Sequence, residues 1–324
     1  MSYTVKTYTA AFKQEWDQFV SQSKNATFLF QRDFMEYHSD RFKDHSMLLY
    51  KDEKLVALVP ANIADQVLYS HQGLTYGGIL LSKRLKMEDT IGVCRALFQY
   101  LFEQGISKFI LKTIPAFYTS YPSEEIDYLL FLTQAKLLRV DVSSVIAREE
   151  RIRIQGNRLE GVKKAAKMGL EVREEANFTA FWDEILVPNL LDRHGASPTH
   201  AKEEIELLAG RFPKNIHQFN VYHEGKIVAG ATLFETSVAV HVQYISANKD
   251  RQQLGSLDLL FQFLIEERFP NKRYFDFGIS NENNGLNLNR GLLYWKETFG
   301  ARTMSCKFYE VNTKYYTYLD TVFL

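Results

Sequence analysis

Residues 238–280 constrain the fold more than any other stretch of the chain. Val238-Ala-Val-His-Val-Gln-Tyr-Ile-Ser246 mixes apolar and polar residues as a buried strand does, and Ala247-Asn-Lys-Asp-Arg-Gln-Gln-Leu-Gly-Ser256 reads as a loop. Beyond it, Leu257, Leu260, Phe261, Leu264 and Ile265 recur at helical spacing and mark one face. Tyr274-Phe-Asp-Phe-Gly-Ile279 closes the unit as a second strand. Strand, loop, helix and strand make one βαβ crossover, which places the chain among α/β folds.

The loop carries the first chemical expectation. The amides of a first helical turn point outward with partial positive charge, so such a turn suits a phosphate. Gly255 lets a ligand approach the backbone, Ser256 can cap or donate, and Arg251 adds a mobile cation next to the polar Gln252 and Gln253. A plainer reading competes with this one: a single glycine that only shapes the turn.

Composition narrows the functional classes. Lys+Arg and Asp+Glu balance at 39 each, so nothing pulls the whole chain toward DNA or a membrane surface, and any polyanion site must be local. Apolar content of 46% over 324 residues allows two packed domains. Cys94 and Cys306 are too few for a disulfide framework, and no metal site is expected. No apolar run approaches membrane-spanning length, so a reduced, cytoplasmic protein is expected, its oligomeric state left open.

In order, the first half reads as strand, two helices, three strands, helix, strand, helix, strand, with Asp52-Glu53 turning a hairpin. After a polar, basic bridge at 148–168 the same order restarts at Leu170. The bridge is either a solvated helix joining two domains or a basic wall facing a phosphate-bearing substrate. Pro188 suggests a kink or break in the helix 178–193. The expected domains are 1–147 and 148–324.

Three groups of polar residues could carry chemistry. Asp276 alternates with Phe275 and Phe277, and a carboxylate on a central strand needs a partner or a cleft. Ser280, Asn281 and Asn289 sit in an amide-rich loop at the end of that strand, where ligands of α/β sheets gather, although Asn and Gly favour turns anyway. His194 and His200 bracket a loop between two helices and could contact substrate. His241, mid-strand, reads as a hydrogen-bonded core residue. In the first half, His71 and Tyr76 lie in the glycine-rich stretch 71–78, a candidate close-approach loop.

The element order resembles the GNAT acyltransferase fold. Gln252-Gln-Leu-Gly255-Ser-Leu257 follows that family's pyrophosphate loop at two fixed positions and departs at Leu257. Two such domains in tandem resemble the FemAB-like aminoacyltransferases, on the strength of residues 158–170, 225–230 and 275–280 and of Gly291-Leu-Leu-Tyr-Trp-Lys-Glu-Thr-Phe-Gly-Ala-Arg302. The resemblance implies an α/β (α+β) chain of two tandem GNAT-like (acyl-CoA N-acyltransferase) domains. It implies acyl transfer to a small-molecule or cell-wall-precursor amine, with acyl-CoA as co-substrate and no metal, the first domain and its loop 71–78 on the acceptor side and the second holding the acyl-donor site. It gives Lys296 the acyl carbonyl to handle, and it sets the backbone after a bulge near Tyr244 against the donor's thioester. No heptad stretch supplies the helical arm of some Fem enzymes, so tRNA contact through such an arm is not expected. Two rivals stand beside this reading: a Fem-type enzyme that takes aminoacyl-tRNA, and a degenerate GNAT pair that only binds.

Overall fold

A computed structural model describes residues 2–323, apart from the side chains of Arg193 and His194. Contacts divide the chain into two compact units, Met1–Asp141 with Ser305–Leu324, and Val142–Met304. The sequence reading keeps 305–324 with the second half and 142–147 with the first; the fold places each in the other unit. Residues 308–312 pair with the strand Lys108–Lys112, while Val311 and Leu319 enter the first unit's core and Asp320 pairs with Arg95. Residues 143–147 pair instead with Tyr274–Ile279 in the second unit. Partners so far apart in sequence leave no local periodicity to read.

In the first unit, Tyr3–Thr7, Met47–Lys51, Lys54–Val59 and Leu80–Leu81 form an antiparallel sheet. Asp52 and Glu53 turn its hairpin with positive φ at both positions (44° and 67°), the backbone twist that a two-residue hairpin requires. Val67–Tyr69 runs parallel to Lys108–Lys112, and the helix between them, Met87–Glu103, buries Ile91, Cys94, Leu97, Phe98 and Leu101.

The second unit orders its strands as Glu171–Glu175, Ile216–His223, Lys226–Glu235, Ala239–Ala247, Tyr274–Ile279 and then 143–147. We call Ala239–Ala247 the bulged strand and Tyr274–Ile279 the exit strand. They are the unit's parallel pair, and their pairing runs from Ala239↔Tyr274 to His241↔Asp276. The bulged strand also slips register against its other neighbour, with Thr232↔Tyr244 followed by Leu233↔Val242, which leaves Gln243 as the extra residue. A bulge bends a strand and increases its twist. It falls just where the parallel pairing ends, so the two strands part beyond His241 and Asp276.

One face of this sheet is packed by the helix Ser256–Phe263, whose Leu260 and Phe261 are fully buried, as the helical spacing predicts. Phe261 meets Phe277 and Trp295 with ring centroids 5.2 and 5.1 Å away, and Phe299 lies 5.1 Å from Trp295. Each aromatic contact contributes about 0.5–1.5 kcal/mol beyond its buried area. The cluster thereby clamps the helix Arg290–Thr298 beside the exit strand. On the chain entering the other face, Pro188 does not break its helix. A wide π-type turn at Trp182–Leu186 precedes Val187–His194, and such a turn accommodates the ring and the missing N–H of proline.

Candidate active site

The end of the exit strand collects the ionisable groups. Asp276 is buried there, yet it is well satisfied. Its Oδ1 accepts from the Ser143 hydroxyl and, at 2.8 Å, from the Gly278 amide, and its Oδ2 lies 2.7 Å from His241 Nδ1. This arrangement offsets the desolvation of a carboxylate that would otherwise be costly. Gly278 turns the backbone with φ +77°, and the exit strand loses register with 143–147 at this point. Its carbonyl and that of Ile279 are thereby turned toward Lys296.

Lys296 is only 3% exposed, adjacent in its helix to Trp295 and one turn from Phe299 of the aromatic cluster. Its Nζ donates to Gly278 O at 2.9 Å and to Ile279 O at 2.7 Å. An ammonium has three N–H donors, so two are used and one remains for a further acceptor. Burial pushes its pKa down to about 8, against the opposing pull of the Asp276 carboxylate.

Tyr244 lies farther along the bulged strand. Its hydroxyl accepts from His200 N at 3.0 Å and lies 2.6 Å from His200 Nδ1, with the Trp182 ring 5.1 Å away edge-on. Burial raises the Tyr244 pKa, so the phenol stays neutral. Tyr244 and His200 thus meet, but the His200 ring is buried against Tyr244 and Phe234 and does not face an open loop. The His194 side chain lies outside the described residues.

The loop expected to hold a phosphate has another occupant. Residues 251–254 already form a helical turn, Gly255 takes φ +68°, and the next helix starts at Ser256. Gln252 and Gln253 are exposed, whereas Gly255 and Ser256 are buried. They are covered by the helix Gly156–Lys167. A Cβ at Gly255 would stand 2.3 Å from Gly161 O, and one at Gly161 would stand 2.0 Å from Asp258 Oδ2. Arg158 Nη1 donates to Asp258 Oδ1 at 2.8 Å. The helix start therefore carries its own anion, Asp258 in the first turn, and that anion has its own cation. Gly255 serves a close helix crossing, not the approach of a ligand. The pyrophosphate of coenzyme A does not fit against the covered Gly255 and Ser256. The signal was present in the basic bridge: Gly161 and Ala165, four residues apart, form a small-residue face, and Ala165 is fully buried.

The amide-rich loop is also used internally. Asn281 Oδ1 accepts from Val142 N at 2.7 Å, and Asn289 caps the helix Arg290–Thr298 by accepting from Leu292 N at 3.0 Å. Ser280 is buried beside them. Asn281 and Asn289 thus shape the end of the exit strand, while the buried Ser280 hydroxyl has no hydrogen-bond partner among the described residues.

In the first unit, His71 and Tyr76 pack inward. Tyr76 stacks on Tyr118 at 4.4 Å and its hydroxyl meets Thr27 Oγ1 at 2.9 Å. His71 stacks on His38 at 5.1 Å, and the glycines of the stretch make room for protein, since a Cβ at Gly73 would strike His38 and one at Gly77 would strike Ser70 O. Burial, with His38 adding to it, drives the His71 pKa down to about 3. A histidine whose folded pKa lies below its unfolded value holds fewer protons folded than unfolded between the two. Stability is therefore lost as pH falls from about 6.5 toward 3. In urea titrations from pH 7 to pH 4, His71→Phe is expected to show a shallower decline than wild type; equal slopes would remove His71 from the acid response.

No family model and no curated protein matches the chain. Solved structures do match. FemX aligns over 98% of this chain and 99% of its own with TM-score 0.65 and 11% identity. The C-terminal domain of a putative lysylphosphatidylglycerol synthetase from Agrobacterium fabrum aligns over 94% and 92% with TM-score 0.58 and 14% identity. A tandem GNAT protein from the clavulanic acid biosynthesis pathway aligns over 96% and 99% with TM-score 0.54 and 10% identity. The chain therefore has the tandem GNAT fold of FemX-like proteins, an α/β (α+β) architecture of two GNAT-like units.

Proposed function

We propose that the chain is an N-acyltransferase that moves an acyl group from an ester donor to an amine at the end of the exit strand. The observation that carries this is Lys296: a buried ammonium, fixed on two backbone carbonyls, with one N–H left to give. Acyl transfer builds negative charge on the acyl oxygen, and a donor fixed in advance in a poorly solvated site stabilises that charge most effectively. The parting of the bulged and exit strands supports an acyl group lying next to Lys296 and Asp276. Tyr244 lines the bulged-strand side.

The donor follows from the covered helix start. A thioester of coenzyme A finds Gly255 and Ser256 covered, with only Gln252 and Gln253 of the turn exposed, whereas an aminoacyl ester carries no such pyrophosphate. An aminoacyl-tRNA donor is accordingly favoured over acyl-CoA, with a small-molecule or cell-wall-precursor amine as acceptor. Among the described residues no helix is long and apolar enough to cross a membrane. In binding experiments, charged tRNA is expected to bind with an affinity that falls steeply with salt, and acetyl-CoA is expected to leave the melting temperature unchanged. A saturable acetyl-CoA shift without tRNA binding would reverse the assignment of the donor.

A further inference from the structure

Ser280 follows directly on the exit strand, and its backbone is fully engaged. The amide donates to Val142 O at 3.4 Å, and the carbonyl accepts from Asn289 N at 2.9 Å. Its side chain is not engaged. The residue is 2% exposed, yet its Oγ has no hydrogen-bond partner among the described residues. A hydroxyl taken out of water without a partner costs stability, so its retention calls for a reason. Strand register shows which way it points. Asp276 faces Val145 and Ile279 faces Ser143, whose hydroxyl bonds Asp276, so Ile279 shares the Asp276 face of the sheet. Ser280, next along the chain, takes the other face, where Phe277 packs on Phe261 and on Trp295 of the helix Arg290–Thr298. Burial agrees, with Ile279 41% exposed. Lys296 belongs to that same helix, and its Nζ lies 2.7 Å from Ile279 O. In a planar trans peptide this oxygen lies on the same side as the Cα of Ser280, and the hydroxyl is two bonds beyond that Cα. A buried O–H with no acceptor thus stands beside a buried ammonium with one N–H left to give.

We propose that Ser280 is a second donor to the acyl oxygen, acting together with Lys296. This rests on the acyl-transfer reading and adds a further catalytic residue to it. The amine nitrogen attacks the acyl carbon of the ester, a C–N bond forms, and the carbonyl π pair moves onto oxygen. There the Lys296 N–H and the Ser280 O–H each donate a hydrogen bond and keep their protons. The oxyanion then collapses, the C–O bond to the leaving group breaks, and the amine's proton goes to the departing oxygen. Amine and ester become amide and alcohol, and both donors end as they began. A hydroxyl left without an acceptor in the free protein gains one as the charge develops, so its bond is made chiefly in the transition state.

Ser280→Ala separates this role from a structural one, because the folded protein loses no hydrogen bond within the chain. Its melting temperature is expected to equal or exceed that of wild type. In transfer from aminoacyl-tRNA to a primary amine, its kcat is expected to fall about 10²-fold while KM stays nearly constant. Ser280→Cys, of nearly the same shape but with a weaker donor, is expected to fall between the two. Ser256 supplies the comparison: it is fully buried and its Oγ is equally without a partner, under the helix Gly156–Lys167. Ser256→Ala should match Ser280→Ala in stability and keep the wild-type rate. A full rate in Ser280→Ala beside a slow Lys296→Met would overturn the proposal and leave the acyl-transfer reading standing. A melting temperature well below wild type in Ser280→Ala, with Ser280→Cys transferring at the wild-type rate, would assign the hydroxyl to folding and overturn it as well. Absence of transfer by wild type with every ester donor would refute it together with the reading it rests on.

Discussion

Lys296→Met is expected to slow acyl transfer by about 10²- to 10³-fold while KM stays nearly constant. That pattern marks an interaction made mainly in the transition state, and the magnitude is the usual cost of removing one fixed oxyanion donor. Methionine keeps much of the lysine's length and apolar body, so the aromatic clamp of Trp295 and Phe299 should survive. Two carbonyls, Gly278 O and Ile279 O, lose a donor, which costs about 1–3 kcal/mol each when no replacement is found. The buried charge disappears at the same time, which offsets part of that loss. A melting temperature close to wild type with the rate reduced is therefore the expected pair of results. A reduced melting temperature with an unchanged rate would reassign Lys296 to folding.

The largest stability effect is expected at Gly255→Ala. The residue sits at φ +68°, where a side chain costs on the order of 1 kcal/mol in backbone strain alone. Its Cβ would also meet backbone, Gly161 O at 2.3 Å, so the helix Gly156–Lys167 must shift to admit it. Overpacking of that kind costs about 1–3 kcal/mol more. A total near 3 kcal/mol is expected from urea denaturation. Gly169→Ala is the matched control: φ is +72°, nothing lies within 4 Å of its Cβ position, and only the strain should appear. Equal losses at the two sites would mean that the covering helix does not press on the loop.

These two residues also show what sequence could and could not reveal. The helical stripe from Leu257 to Ile265, the Asp52-Glu53 hairpin and the parallel strands around the crossover were legible because each is a local periodicity or turn signal. Lys296 was singled out by a resemblance, and its geometry adds the burial and the carbonyl partners that a motif does not contain. Gly255 was read as an opening, because a glycine before a helix looks the same whether a phosphate or another backbone approaches it. Only the position of Gly161, almost a hundred residues earlier, distinguishes the two cases. His71 and Tyr76 failed in the same way, as their glycine neighbours make room for His38 and Ser70 and not for a substrate. His241 was read as a bonded core residue, and it is bonded. Its partner Asp276 lies on another strand, and that juxtaposition arises from strand register, not from spacing.

The most direct measurement is single-turnover transfer of a labelled acyl group from aminoacyl-tRNA to a panel of primary amines that includes cell-wall precursors. It should follow wild type and Lys296→Met in parallel across pH 6–10. Label is expected to reach an amine with wild type and to do so at least a hundred times more slowly with the variant. Because the ammonium is the donor and its pKa lies near 8, the wild-type rate should fall as pH rises through about 8, even though the attacking amine becomes more nucleophilic there. Equal transfer by the two proteins, or a rate that climbs steadily through pH 9, would contradict a catalytic role for Lys296 at the end of the exit strand.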